Sequence, residues 1–154
     1  MNEENHALQQ AAAQMKTITE MVAALAVDYD RLEELQGYAD DDLSDEDREQ
    51  LEKQAEGCDS YDDAYRRIQE DPLSVQVRSG WYTPGDTYSP EEFEILLCTG
   101  GPAVRIIGAL DGYMQPARPQ LQYRDWGTPW TEYFGDNLDR EALLAYCNQF
   151  WFGN

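Results

Sequence analysis

The chain has 154 residues, 42% of them apolar and 12% aromatic, enough for one domain or a domain with an appendage, built on a real core. A count of 31 acids against 11 bases leaves a net charge of −20, which repels nucleic acid and anionic lipid and draws the molecule toward basic surfaces or cations. No apolar run approaches the roughly 20 residues of a membrane span and the start carries no signal-peptide pattern, so a soluble, cytoplasmic protein is expected.

Leu8, Ala11, Met15, Ile18, Val22, Leu25, Tyr29 and Leu32 recur at alternating threes and fours, with no glycine or proline before Gly37. The pattern predicts a single helix of about 29 residues, roughly 43 Å long, whose apolar seam needs a partner. Ser44-Asp-Glu-Asp47 has the form of a second helix start, a serine cap followed by acids in the first turn. Leu51, Ala55, Cys58, Tyr61 or Asp62, Tyr65 and Ile68 continue its apolar face. Gly57 through Ser60 marks an interruption, with Ser60 capping a short last piece through Arg67 or Gln69. The two helices are expected to pair as an antiparallel hairpin with its tip at Gly37 to Leu43; the alternative is a self-associating coiled coil.

Asp71-Pro72 stops helical structure, because proline lacks a donor and disfavours helix in the residue before it. Leu73, Val75 and Val77 then alternate with polar residues as a first strand. Phe93, Ile95 and Leu97 lead into Gly100-Gly101 and on to Val104, Ile106 and Leu110: a β-hairpin with a two-residue turn at the centre of a sheet. Pro116 and Pro119 bound a connection, Leu121 to Trp126 supplies a fourth strand, and Gly127 to Gly135 is an aromatic loop or short strand. Asp136 or Asn137 caps a last helix bearing Leu143, Tyr146, Cys147 and Phe150, placed to cover the open sheet face. The expected fold is therefore α+β: residues 1–71 as an acidic antiparallel helical hairpin, and 72–154 as a sheet of about four antiparallel strands with a C-terminal helix packed on it.

Acidity is concentrated in the first of these segments. Between Asp28 and Asp71 there are 18 acids and 5 bases, a net charge of −13. Carboxylates three or four apart on a helix stand about 5–6 Å from one another, close to the interval between neighbouring phosphates. Asp40, Asp41, Asp42, Asp45, Glu46, Asp47, Glu49 and Glu52 are the candidate contacts to a basic partner; the plainer reading makes them a solvated face. The run from Asp40 lacks the spacing and mid-loop glycine of a calcium loop and has Leu51 in its twelfth position, so no metal site is assigned. Trp81, Tyr82, Trp126, Trp130 and Tyr133, with Tyr88 and Phe134 nearby, either wall a pocket for a flat, nucleotide-like ligand or form the core and lid of the sheet.

Little else in the sequence carries chemistry. The only histidine is His6 and the only lysines are Lys16 and Lys53, so histidine-dependent triads and Schiff-base chemistry find no support. Asp125 with Glu132 is a nominal carboxylate pair lacking a nucleophile. Cys58, Cys98 and Cys147 are odd in number and widely spaced, as free thiols are rather than a disulfide framework or zinc site. No cofactor is expected.

The run Asp71-Pro-Leu-Ser-Val-Gln-Val-Arg-Ser-Gly-Trp-Tyr82, with Asp125-Trp-Gly-Thr-Pro-Trp-Thr-Glu-Tyr-Phe134, resembles a family of small uncharacterised proteins encoded by phages and mobile elements. The resemblance spans roughly Asp71 to Phe152 and brings no catalytic residue set. In size and acidity the chain also resembles anti-restriction and anti-CRISPR proteins, some of which mimic DNA. That second resemblance is compositional, with no shared motif. Together they imply a non-enzymatic inhibitor, monomeric or homodimeric, that occupies the nucleic-acid groove of a basic host defence protein without itself binding nucleic acid or membrane. The alternatives are a module that binds or sequesters a nucleotide-like ligand, and a self-associating assembly protein.

Overall fold

The computed structural model describes residues 3–37 and 42–153. The first helix, α1, runs Glu3–Leu25 rather than through to Gly37. At its end the backbone tightens through bonds from the Ala26 and Val27 N–H groups to the Ala23 and Ala24 carbonyls, at 3.1 and 3.4 Å. Asp28 then turns extended, and its carboxylate accepts from the Arg31 N–H at 3.0 Å to start α2, Tyr29–Gln36. The long rod expected from the heptad is thus two helices. Tyr29 and Leu32 keep the apolar spacing across the break, so periodicity alone could not report it; the competing signal is the Asp28 cap.

Helix α3 spans Asp42–Ala55, beginning before the expected Ser44 cap, and the expected hairpin tip lies mostly outside the described residues. Glu56 and Gly57 adopt left-handed φ of 47° and 85° and end α3. Ser60 caps α4, Tyr61–Glu70, by accepting from the Asp63 N–H at 3.1 Å, as the sequence indicates. Helices α2 and α3 pack together as a short helical hairpin, while α1 packs along α4 and α5 and over the sheet.

The sheet is a five-stranded antiparallel meander in chain order: β1 Ser74–Arg78, β2 Glu92–Cys98, β3 Ala103–Leu110, β4 Pro116–Arg124 and β5 Thr131–Glu132. Ile95 faces Ile106, which faces Leu121, so one sheet face is a continuous apolar layer. Gly100 and Gly101 both take positive φ, 100° and 153°, but they sit in a four-residue connection beside a register shift at Leu96 to Cys98, not in a two-residue turn. Strand β4 starts earlier than expected. Pro116 pairs with Leu110 at its end, while Arg118 (φ 50°) and Pro119 fall at a register shift opposite Ile107 to Ala109, where a bulge spares the donor that proline lacks.

Helix α5, Asn137–Cys147, is opened by a capping box in which Asp136 and Asp139 each accept from the other's backbone N–H. It lies against β4 and α1. Met15, Ile18 and Met21 of α1 share one core with Ile95, Ile106, Leu121, Leu143 and Tyr146, so the main core crosses residue 71. The buried face of α1 is Ala7, Ala11, Met15, Ile18, Met21 and Ala24; Leu8 is exposed, and Val22 and Leu25 are half-buried. The α1 seam therefore meets the sheet and α5 along most of its length. A second, smaller cluster of Ala24, Val27, Leu32, Ala55, Cys58 and Ala64 holds α2, α3 and α4 to the end of α1.

Candidate acidic interface

Small and aliphatic residues make the anchored side of the acidic lobe. Leu32, Leu35, Ala55, Ala64 and Ile68 face inward, which turns the intervening carboxylates to solvent. Polar bonds then fix the lobe's pose. The Gln54 side-chain amide donates to the Ala23 carbonyl at 2.8 Å, and Arg67 reaches the Glu56 carbonyl at 3.3 Å and its carboxylate at 3.4 Å. The Tyr29 hydroxyl donates to the Ala24 carbonyl at 2.6 Å; burial, reinforced by Cys58 and Asp63, pushes its pKa up to about 12.

Of the eight candidate contacts, Asp40 and Asp41 lie outside the described residues and Asp42 opens α3. Asp45 is half-buried, and Glu46, Asp47, Glu49 and Glu52 are exposed. They do not behave alike. Arg48 approaches Asp45 at 3.2 Å, a charge contact without hydrogen-bonding geometry, and Glu52 at 3.9 Å; Gln36 donates to Glu52 at 3.3 Å. Asp45 and Glu52 are therefore engaged within the lobe. Glu46, Asp47 and Glu49 have no basic partner among the described residues, and Asp30 and Glu33 on α2 share that condition. The i,i+3 and i,i+4 spacing of Arg48 from Asp45 and Glu52 signals these two contacts in the sequence, but the same spacing of Glu49 from Lys53 forms no ion pair among the described residues.

The aromatic candidates are dispersed. Trp81 and Tyr82 belong to the β1–β2 connection at one end of the sheet, where Tyr82 stacks on Tyr88 at 4.8 Å. Trp126 and Trp130 belong to the β4–β5 connection at the other end, because an antiparallel meander sends alternate connections to opposite ends. Trp126 borders an open depression of about 380 Å³ with Gly100, Gly101 and Arg124, which Trp81 and Tyr82 do not reach. Trp130 carries the guanidinium of Arg105 at 4.2 Å and of Arg124 at 4.4 Å from its ring centroid. Arg105 in turn holds Glu94 at 2.7 Å and Gln122 at 3.0 Å. Neither the pocket reading nor the core-and-lid reading describes this set: Trp81, Tyr82, Tyr88, Trp126 and Phe134 are exposed, Trp130 is half-buried, and Tyr133 alone packs against the main core.

Asp125 and Glu132 line different depressions, and no group of three or more histidine, cysteine or acidic side chains among the described residues could hold a metal ion. Among the described residues no helix is long and apolar enough to cross a membrane. No family model, curated protein or solved structure matches the chain.

Proposed function

We propose that the protein is a non-enzymatic inhibitor whose acidic lobe occupies the nucleic-acid-binding surface of a basic host defence protein. The observation that supports this reading is the split among the carboxylates. Asp45 and Glu52 lie within charge contact of Arg48, while Asp30, Glu33, Glu46, Asp47 and Glu49 stand in solvent without a cation among the described residues, on helices anchored to the core. Like charges gathered on one lobe repel one another and cost stability. A complementary basic groove relieves that repulsion, and rim charges of this kind set association rate and salt dependence.

The test neutralises only the solvent-facing group. In Glu46→Gln/Asp47→Asn/Glu49→Gln the charge rises by three while side-chain shape and the Arg48 contacts are kept. Immobilised wild-type protein should retain members of the heparin-binding fraction of a nuclease-treated bacterial lysate at low salt, and should release them to high salt or to competing duplex DNA or RNA. The triple variant should fold and lose that capture. Equal capture by the triple variant would remove the inhibitory reading.

A further inference from the structure

We propose that strand β1 is a self-pairing edge, through which two copies of the chain join their sheets across a two-fold axis at Gln76. Strand β1 lies outside the acidic lobe. Among the described residues strand β1 pairs with β2 alone, which leaves its outer backbone edge open. Its register places Val75 opposite Ile95 and Val77 opposite Phe93, on the face that helices cover elsewhere. Ile95 and Phe93 are 0% and 3% exposed, yet Val75 and Val77 are 38% and 43% exposed and Leu73 60%, because the helical layer lies over β3 and β4.

The two edges of the sheet are treated differently. Strand β5 is two residues long, one of the ways in which proteins blunt an edge. Strand β1 has five residues, Ser-Val-Gln-Val-Arg, with no proline, lysine or inward-pointing charge, and its pairing with β2 shows no bulge. An open ladder of this kind takes an extended strand, and the strand itself indicates which. In an antiparallel pair directly opposite residues share a face. Centring the pair on Gln76 is the one register that overlaps all five residues. It sets Val75 against Val77 of the second copy on the apolar face, Gln76 against its own symmetry mate, and Ser74 against Arg78. Charge agrees with this choice. In a chain of net −20, Ser74–Arg78 contains no acid, and its Arg78 is already bonded to Glu92 at 2.6 Å, so two copies meet there without opposing carboxylates.

Sedimentation equilibrium over a concentration series, at low and high salt, reads the result. The wild type should be a reversible dimer that tightens with salt as the repulsion between two net −20 molecules is screened. Val77→Lys puts a charge on an already exposed position and should shift the protein to monomer with an unchanged circular-dichroism spectrum. A variant that needs no loss of packing keeps the register itself testable. Across the axis Gln76 Cα atoms should stand about 4.5–5.5 Å apart, within disulfide reach, whereas Ser74 and its symmetry mate should lie about 14 Å apart. Gln76→Cys should therefore form a disulfide-linked dimer under mild oxidation, and Ser74→Cys should not. A wild type that stays monomeric at every concentration and salt, whether or not it captures an extended peptide, overturns the proposal. So does a dimer indifferent to Val77→Lys, or one whose Gln76→Cys form does not crosslink.

Discussion

Tyr146 is the largest fully buried side chain, and its hydroxyl donates to the Asp71 carboxylate at 2.7 Å across 75 residues of sequence. This bond pins the helix-to-strand junction at Asp71-Pro72 onto α5. Removing it in Tyr146→Phe should cost about 1.5–3 kcal/mol, the range for a bond to a charged group, read as a lower urea midpoint at unchanged slope. Burial, with the Asp71 carboxylate as hydrogen-bond acceptor and neighbouring charge, drives the Tyr146 pKa far above its ordinary value of 10.0; burial alone does the same to the Cys147 thiol, ordinarily 9.0. Each group stays protonated in the fold at pH values where the unfolded chain has begun to lose the proton. The native state then binds more protons than the unfolded one, so stability should be complete below pH 9 and fall as pH rises, first through Cys147 and from pH 10 through Tyr146 and Tyr29. Chemical denaturation at stepped pH checks the sign, and Tyr146→Phe should flatten the limb above pH 10.

At the scale of elements, close approach decides one glycine. Gly108 lies opposite Phe93, and a Cβ there would stand 2.6 Å from the Phe93 ring and 3.0 Å from the Ala117 carbonyl oxygen. Gly108→Ala should cost about 1–3 kcal/mol through overpacking, and Phe93→Leu in the same chain should recover part of it, a coupling that a double-mutant cycle by urea melt resolves. Capping decides the helices. Asp136→Ala removes one half of the α5 capping box and should lower stability by about 1 kcal/mol.

For the whole molecule, α1 and α4 both join the two clusters: α1 packs Met15 and Ile18 in the main core and Ala24 in the smaller one, and α4 packs Ile68 in the main core and Ala64 in the smaller one. Ile18 is wholly buried in that main core. Ile18→Asp buries an unpaired charge at a cost of several kcal/mol, a large part of a typical ~5–15 kcal/mol stability, and should leave an unfolded chain by circular dichroism. Charge acts on the same scale. With −20 to screen, the melting temperature should rise with added salt, and the triple-neutralised α3 variant should melt higher than wild type at low salt with a shallower salt dependence.

Local chemistry determined the elements of this protein from the sequence alone. Alternation wrote β1, β2 and β3, the Ser60 and Asp136 caps placed the starts of α4 and α5, and the threes and fours from Ala11 to Ile18 made α1 amphipathic. The excess of acid over base between Asp28 and Asp71 was equally plain, because a charge count needs no partner. Tertiary structure decided what each apolar face meets and which side chains stay exposed. The α1 seam looks complementary to a second helix, but a stripe of Met and Ile packs as well on Ile106 and Leu121, and only the meander sets those side by side. Trp81 and Trp126 read as one aromatic set in the chain and are parted to opposite ends of the sheet by strand alternation. The exposure of Val75 and Val77 was invisible to their own pattern, since burial on a sheet face depends on where the helices lie, and here they stop short of β1.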